Sequence, residues 1–241
     1  MKDCLRLIYG ILMAAAIYFI ALMLIPQFSF FNSSKETYSW FGTGEITQIS
    51  FLIISLILIA VLGKGNFSEY GLKSTKFKEI IKPIPISAAV ALLVIILNIM
   101  MMMMISKPEN PGEHPGMDKN LLETILTVWI LASICEEIFY RGLILSFLSP
   151  LKKHGIMLFK KYLSIPVIIS GLLFGIGHLC LLGKMNPVIV VNIVISASLL
   201  GLIAGYYREK SGSLLPAIVS HITFNVIGTM IPFILTSFVP E

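Results

Sequence analysis

Apolar blocks, each close to the roughly 20 residues needed to cross a hydrocarbon core, alternate along this chain with short segments that hold nearly all its Lys and Arg and most of its Asp and Glu. The blocks run over 5–25, 46–62, 83–105, 121–147, 163–182, 187–207 and 214–239. A water-soluble domain of 241 residues needs a polar exterior, and a chain with 56% hydrophobic and 13% charged residues cannot supply one. Lipid is therefore the expected main solvent. The expected fold is all-α, a polytopic integral membrane bundle of seven to eight transmembrane helices. The count turns on the fourth block, which is long enough to be tilted, broken or read as two. The first block outruns a signal-peptide core, and its Ala14-Ala15-Ala16 run continues into apolar sequence, so it reads as a retained helix.

A net charge of +5 would suggest nucleic acid in a soluble protein, but here the basic residues sit in short loops, where membrane orientation explains them, and no nucleic-acid module is visible. With the N-terminus in the cytoplasm, Lys2, Arg6, the lysines of 64–82 and 152–161, Arg208 and Lys210 all fall inside. Lys35, Lys107, Lys119 and Lys184 fall outside, and Arg141 alone lies in the interior of a block, Arg6 standing at the edge of the first. Segments 66–83 and 150–162 mix lysines with Phe, Tyr, Ile, Leu and Met, a composition suited to anionic headgroups or to a solvated loop. Residues 107–120, with their prolines and glycines, read as an external loop, and the methionines of 100–104 as flexible apolar packing. Cys4, Cys135 and Cys180 lack metal-binding spacing and read as packed thiols. Ala197-x-x-x-Gly201-x-x-x-Gly205 and Gly171-x-x-x-Gly175 put small residues on one helix face, where packing alone accounts for them.

Charge inside lipid costs at least a few kcal/mol per group on insertion scales, which makes the polar residues of the blocks informative. Glu137 and Arg141 stand four apart with the acid first, the better orientation for a helical ion pair. Glu136 is rotated from Glu137 by about 100° on an α-helix and is the freer carboxylate. Phe174 and His178 share one face, as do His221 and Asn225, and these are the two of the four histidines that fall within blocks.

A carboxylate beside an imidazole in a dry site can take a proton from water and return one to a leaving amine, which is hydrolase chemistry. A second His and an Asn amide offer N–H donors for an oxyanion. The only aspartates, Asp3 and Asp118, lie outside the blocks, which excludes a two-aspartate protease; no Gly-x-Ser-x-Gly or His-Glu-x-x-His motif occurs. His178, His221 and Glu136 also make a donor set that a catalytic zinc accepts, so the residues leave zinc open.

The order Glu136-Glu137-x-x-x-Arg141, then Phe174-x-x-x-His178, then His221-x-x-x-Asn225, in the second half of a small polytopic chain, resembles the CPBP family. These are the CAAX-processing and bacteriocin-processing proteases, also called the Abi or type II CAAX prenyl endopeptidase family. The resemblance divides one membrane domain into N-terminal helices and interfacial loops (1–120) and a catalytic helical core (121–241). It implies an intramembrane endopeptidase using a glutamate-activated water without a metal cofactor, although members have often been labelled metalloproteases. Carried onto this sequence, Glu136 is the catalytic base, His178 assists it, His221 and Asn225 form the oxyanion hole, and Glu137 with Arg141 organises the site. The partners it implies are the bilayer and a membrane-associated or prenylated peptide, processed at the cell membrane from the cytoplasmic side. Two other readings stand beside it: a catalytically idle protein giving self-immunity to a bacteriocin, which needs the fold but not Glu136, and a small proton-coupled transporter using the same Glu and His residues as a relay, for which no inverted repeat speaks. Depth sets a puzzle: at 1.5 Å per residue Glu136 lies roughly 16 Å, and His178 roughly 22 Å, from the cytoplasmic ends of their blocks.

Overall fold

The computed structural model describes residues 2–25, 42–104 and 120–237. Every apolar block folds as helix there: α1 (Lys2–Phe19, continued by a wider turn over Ile20–Leu24), α2 (Thr43–Leu62), a one-turn α3 (Phe77–Ile81), α4 (Ile84–Met104), α5 (121–147), α6 (Ile165–Gly177), α7 (Pro187–Ser211) and α8 (Leu215–Ser237). The expected external loop at 107–120 lies, apart from Asn120, outside the described residues. Local chemistry sets the ends. Asn120 accepts from the Glu123 N–H at 3.0 Å while the Glu123 carboxylate accepts from the Asn120 N–H at 3.1 Å, a reciprocal cap that starts α5. Ser164 caps α6, with Pro166 in its first turn, and Gly212 ends α7 at φ 72°, where a Cβ would be strained.

By length and apolar composition, four helices among the described residues qualify to cross a membrane: Lys2–Met23, Thr43–Leu62, Phe77–Met101 and Pro187–Ser211. That is fewer than the seven to eight expected. Ile165–Leu181 and Leu215–Ile231 are shorter apolar helices, and α5 changes helix type along its length. It is unbroken through 121–147, but Ile125–Ala132 and Ile138–Ile144 are π-helical, with hydrogen bonds reaching five residues, and only Ser133–Glu137 between them is α-helical.

Residues 155–164 correct the all-α expectation. Gly155–Leu158 (β1) pairs antiparallel with Lys161–Ser164 (β2), joined through Phe159 and Lys160 at φ 47° and 61°, the left-handed pair a two-residue hairpin turn requires. Neither residue is the Gly or Asn that signals such a turn, so a loop was the natural reading. The hairpin also takes Leu163 and Ser164 out of the expected helix. His178 then lies only about 20 Å from the start of α6, which narrows the depth mismatch without closing it.

Within segment 66–83, residues 69–73 are docked on the bundle. Tyr70 is buried, Leu214 N–H donates to the Gly71 carbonyl at 2.9 Å, Ser213 Oγ donates to the Lys73 carbonyl, and Arg208 Nη2 donates to the Glu69 carbonyl at 3.3 Å. This docks the α2–α3 connection onto the turn between α7 and α8. Of the cysteines, Cys135 is buried and Cys180 half-buried as packed thiols, whereas Cys4 is exposed.

In lipid the hydrophobic effect does not choose between apolar neighbours, so shape fit decides which helices touch. The glycine stripes supply it. A Cβ on Gly201 would lie 2.7 Å from Gly171 Cα, and one on Gly175 would be 2.6 Å from the Val194 carbonyl oxygen, so α6 and α7 meet backbone to backbone. From the other side a run of rings links four helices: Tyr18 of α1 to Phe51 of α2 (5.5 Å), Phe51 stacked on Phe139 of α5 (4.7 Å), and Tyr140 edge-on to Phe174 of α6 (5.2 Å). Polar pairs hold α8: Ser220 with Ser87 of α4, buried (2.6 Å), and Thr229, half-buried, which accepts from Trp129 Nε1 of α5 (2.9 Å).

Candidate active site

The α-helical turn between the two widened stretches of α5 presents Glu136 and Glu137. Glu137 Oε1 accepts from Arg141 Nη1 at 2.9 Å, and both side chains are 0% exposed, the pairing the four-residue spacing predicts. The guanidinium sits over the Phe174 ring, its Cζ 4.7 Å from the centroid, and a Cβ on Gly201 would come 2.8 Å from Nη2. The small-residue seam therefore also makes room for the cation.

His221, from α8, reaches the same oxygen: its Nδ1 is 3.0 Å from Glu137 Oε1. A carboxylate only accepts, so Nδ1 carries the proton, and Nε2 faces Glu136 Oε2 at 3.7 Å, beyond hydrogen-bond length. His221 is thus set between the two carboxylates. Glu136 is the more open of them, its side chain 13% exposed, but it is not without a partner. Gln48 of α2 donates its amide N–H to Glu136 Oε1 at 2.5 Å.

His178 follows the last α-helical residue of α6 and begins a 3-10 turn over His178–Leu181. Its Nδ1–H donates to the Phe174 carbonyl at 3.0 Å, which turns Nε2 away from that bond. Phe174 meets the ring of His178 at 5.2 Å and that of His221 at 5.3 Å, both edge-on. One phenyl ring therefore touches both imidazoles and the Arg141 cation. Asn225, a turn after His221, is engaged elsewhere: its Nδ2 donates to the Val128 carbonyl (3.0 Å) and to Ser133 Oγ (3.3 Å) of α5. Tyr18 Oη donates to the Gly177 carbonyl beside His178.

Gln48, Ser133 and Tyr18 escaped the sequence reading. Gln48 was visible only as an amide in an otherwise apolar block, and nothing in the sequence says which helix it faces.

Among the described residues no group of three or more His, Cys, Asp or Glu is placed to hold a metal ion, and His221 turns its two nitrogens toward separate carboxylates.

Residues 118–227 match the profile of the type II CAAX prenyl endopeptidase Rce1-like family. That region is a Rce1-like domain of the CPBP family. That match contains Glu136, Glu137, Arg141, Phe174, His178, His221 and Asn225, while Gln48 and Tyr18 lie outside it. No curated protein and no solved structure matches the chain. The CAAX-type endopeptidase domain at 118–227 and the long apolar helices together make this an integral membrane protein.

Proposed function

We propose that this CPBP protein hydrolyses a peptide bond in a membrane-associated or prenylated peptide, using a water activated by Glu136 and no metal. The observation that carries the reading is the placement of Glu136: a partly exposed carboxylate whose Oε2 faces His221 Nε2, with the buried Glu137 holding that imidazole by its other nitrogen. A base that must meet substrate needs exposure, and a group that must aim another needs burial and fixed bonds. Glu136 and Glu137 divide along that line.

In the proposed reaction Glu136 Oε2 takes a proton from water as the water oxygen attacks the scissile carbonyl, and the same proton is returned to the leaving amine. His178, with Nε2 free of its backbone bond, helps hold the water. Negative charge on the carbonyl oxygen is met by the Asn225 amide N–H and by His221, which serves this role with Nε2 also protonated, since its Nδ1–H is held by Glu137. For Asn225 this requires the amide to leave the Val128 carbonyl and Ser133, so substrate entry is coupled to a small shift of α8 against the widened stretch of α5. Peptide enters from the cytoplasmic half of the cell membrane.

The test uses purified protein in nanodiscs and an internally quenched, farnesylated peptide ending in a CAAX sequence, with products identified by mass spectrometry. Wild type should release the C-terminal fragment, and Glu136→Gln should lose about 10²-fold or more of the rate while remaining folded. Equal cleavage by the two proteins overturns the base assignment. Tight binding of peptide without cleavage by either favours the immunity reading.

A further inference from the structure

We infer that Gln48 is a positioning residue for Glu136, fixing Oε2 as the oxygen that accepts the proton; this rests on the reading of Glu136 as the base. The carboxylate has two chemically equivalent oxygens, and the protein makes them unequal. Oε1 is occupied by the Gln48 amide N–H at 2.5 Å, so Oε2 is left facing His221 Nε2 at 3.7 Å. Holding Oε1 in this way restrains rotation of the carboxylate about its last bond, which would otherwise blur the aim of the base.

The restraint comes from a rigid element. Phe51, three residues beyond Gln48 and on the same side of α2, stacks on Phe139 at 4.7 Å, and Tyr18 of α1 closes on Phe51 at 5.5 Å. The amide thus approaches α5 on a helix whose distance from α5 is set by packed rings. A packing role alone would be met by Leu or Met. Gln48 instead keeps its own Oε1 buried with no hydrogen-bond partner, a loss of free energy that an apolar residue of the same size avoids. Since Gln48 lies outside residues 118–227, the site is completed from the first half of the chain.

The experiment separates this inference from the peptidase reading because its first readout needs no substrate. Infrared spectra of native and Glu136→Gln protein in nanodiscs give, by difference, the carboxylate stretch of Glu136. Gln48→Met should move that band, since one oxygen loses its donor, and Gln48→Leu should repeat the shift on a second background. An unmoved band in either folded variant overturns the inference, whether or not the protein cleaves anything. Where the farnesylated peptide is cleaved, Gln48→Met should lower kcat about tenfold or more with KM held within about twofold, because the bond aims a base and does not touch peptide. A shift confined to KM, or no kinetic change, overturns it as well. Failure of wild type to cleave defeats the peptidase reading and leaves the band to decide whether Gln48 orients the carboxylate.

Discussion

His221 and Glu137 are joined at 3.0 Å through Oε1, the same carboxylate oxygen that accepts from Arg141. One buried oxygen therefore holds a cation from its own helix and an imidazole from α8. Glu137→Gln weakens both bonds and strands a guanidinium that is 0% exposed. The expected cost is about 3–5 kcal/mol, the range for breaking a buried ion pair by removing one partner. Glu136→Gln removes no buried cation's partner and should cost less than about 1 kcal/mol. Thermal melts of the two variants in the same nanodiscs check this; coincident melts would sink the division of labour.

The glycine seam gives a prediction free of any mechanism. Gly201→Ala places a methyl 2.7 Å from Gly171 Cα, backbone that cannot yield, and 2.8 Å from Arg141 Nη2, and should destabilise by about 1–3 kcal/mol. Gly228→Ala is the control, because nothing lies within 4 Å of the added carbon and helix propensity favours Ala by about 1 kcal/mol. Opposite shifts in melting temperature are expected. A neutral Gly201→Ala would mean that α6 and α7 do not meet at this distance.

Phe174 touches both imidazoles and the Arg141 cation with one ring, which is 2% exposed. Phe174→Leu keeps apolar bulk but removes the edge contacts, worth about 0.5–1.5 kcal/mol each, and the cation contact. Activity on the farnesylated peptide should fall about tenfold or more through kcat, alongside a lower melting temperature. Full activity in Phe174→Leu would show that the two histidines need no common support.

Metal removal is the fourth check. Because His221 is turned between two carboxylates and His178 bonds to backbone, a strong chelator should leave cleavage within about twofold of its starting rate. Elemental analysis should find no stoichiometric transition metal. Loss of activity that added zinc alone restores would overturn the metal-free scheme.

How far the sequence went can be argued from single residues. The expected blocks and the observed helices agree within a few residues because apolar length is a one-dimensional property, written along the chain. The pairing of Glu137 with Arg141 was legible for a similar reason, since helical spacing fixes it locally. Asn225 was read as a partner of His221 because they share a face, yet its amide bonds to Val128 and Ser133; which helix lies opposite is not encoded in spacing. The same limit hid Gln48, a first-half residue that meets the second half only after folding. The Phe159–Lys160 turn was illegible because neither residue signals left-handed backbone.

The widened stretches on either side of Glu136 and Glu137 change what homology means for this helix. A π turn accommodates an extra residue without a loop, so a gap inside 125–132 or 138–144 in an aligned relative would be a change of phase and not of connection. A helical wheel drawn at constant pitch through 121–147 mixes two angular frames. Within the short frame of Ser133–Glu137 the rotation between the two glutamates is the ordinary α-helical one. Deleting one residue from either flank would turn the doublet about the helix axis relative to that end of the bundle, leaving every motif letter intact and the carboxylates aimed at different neighbours.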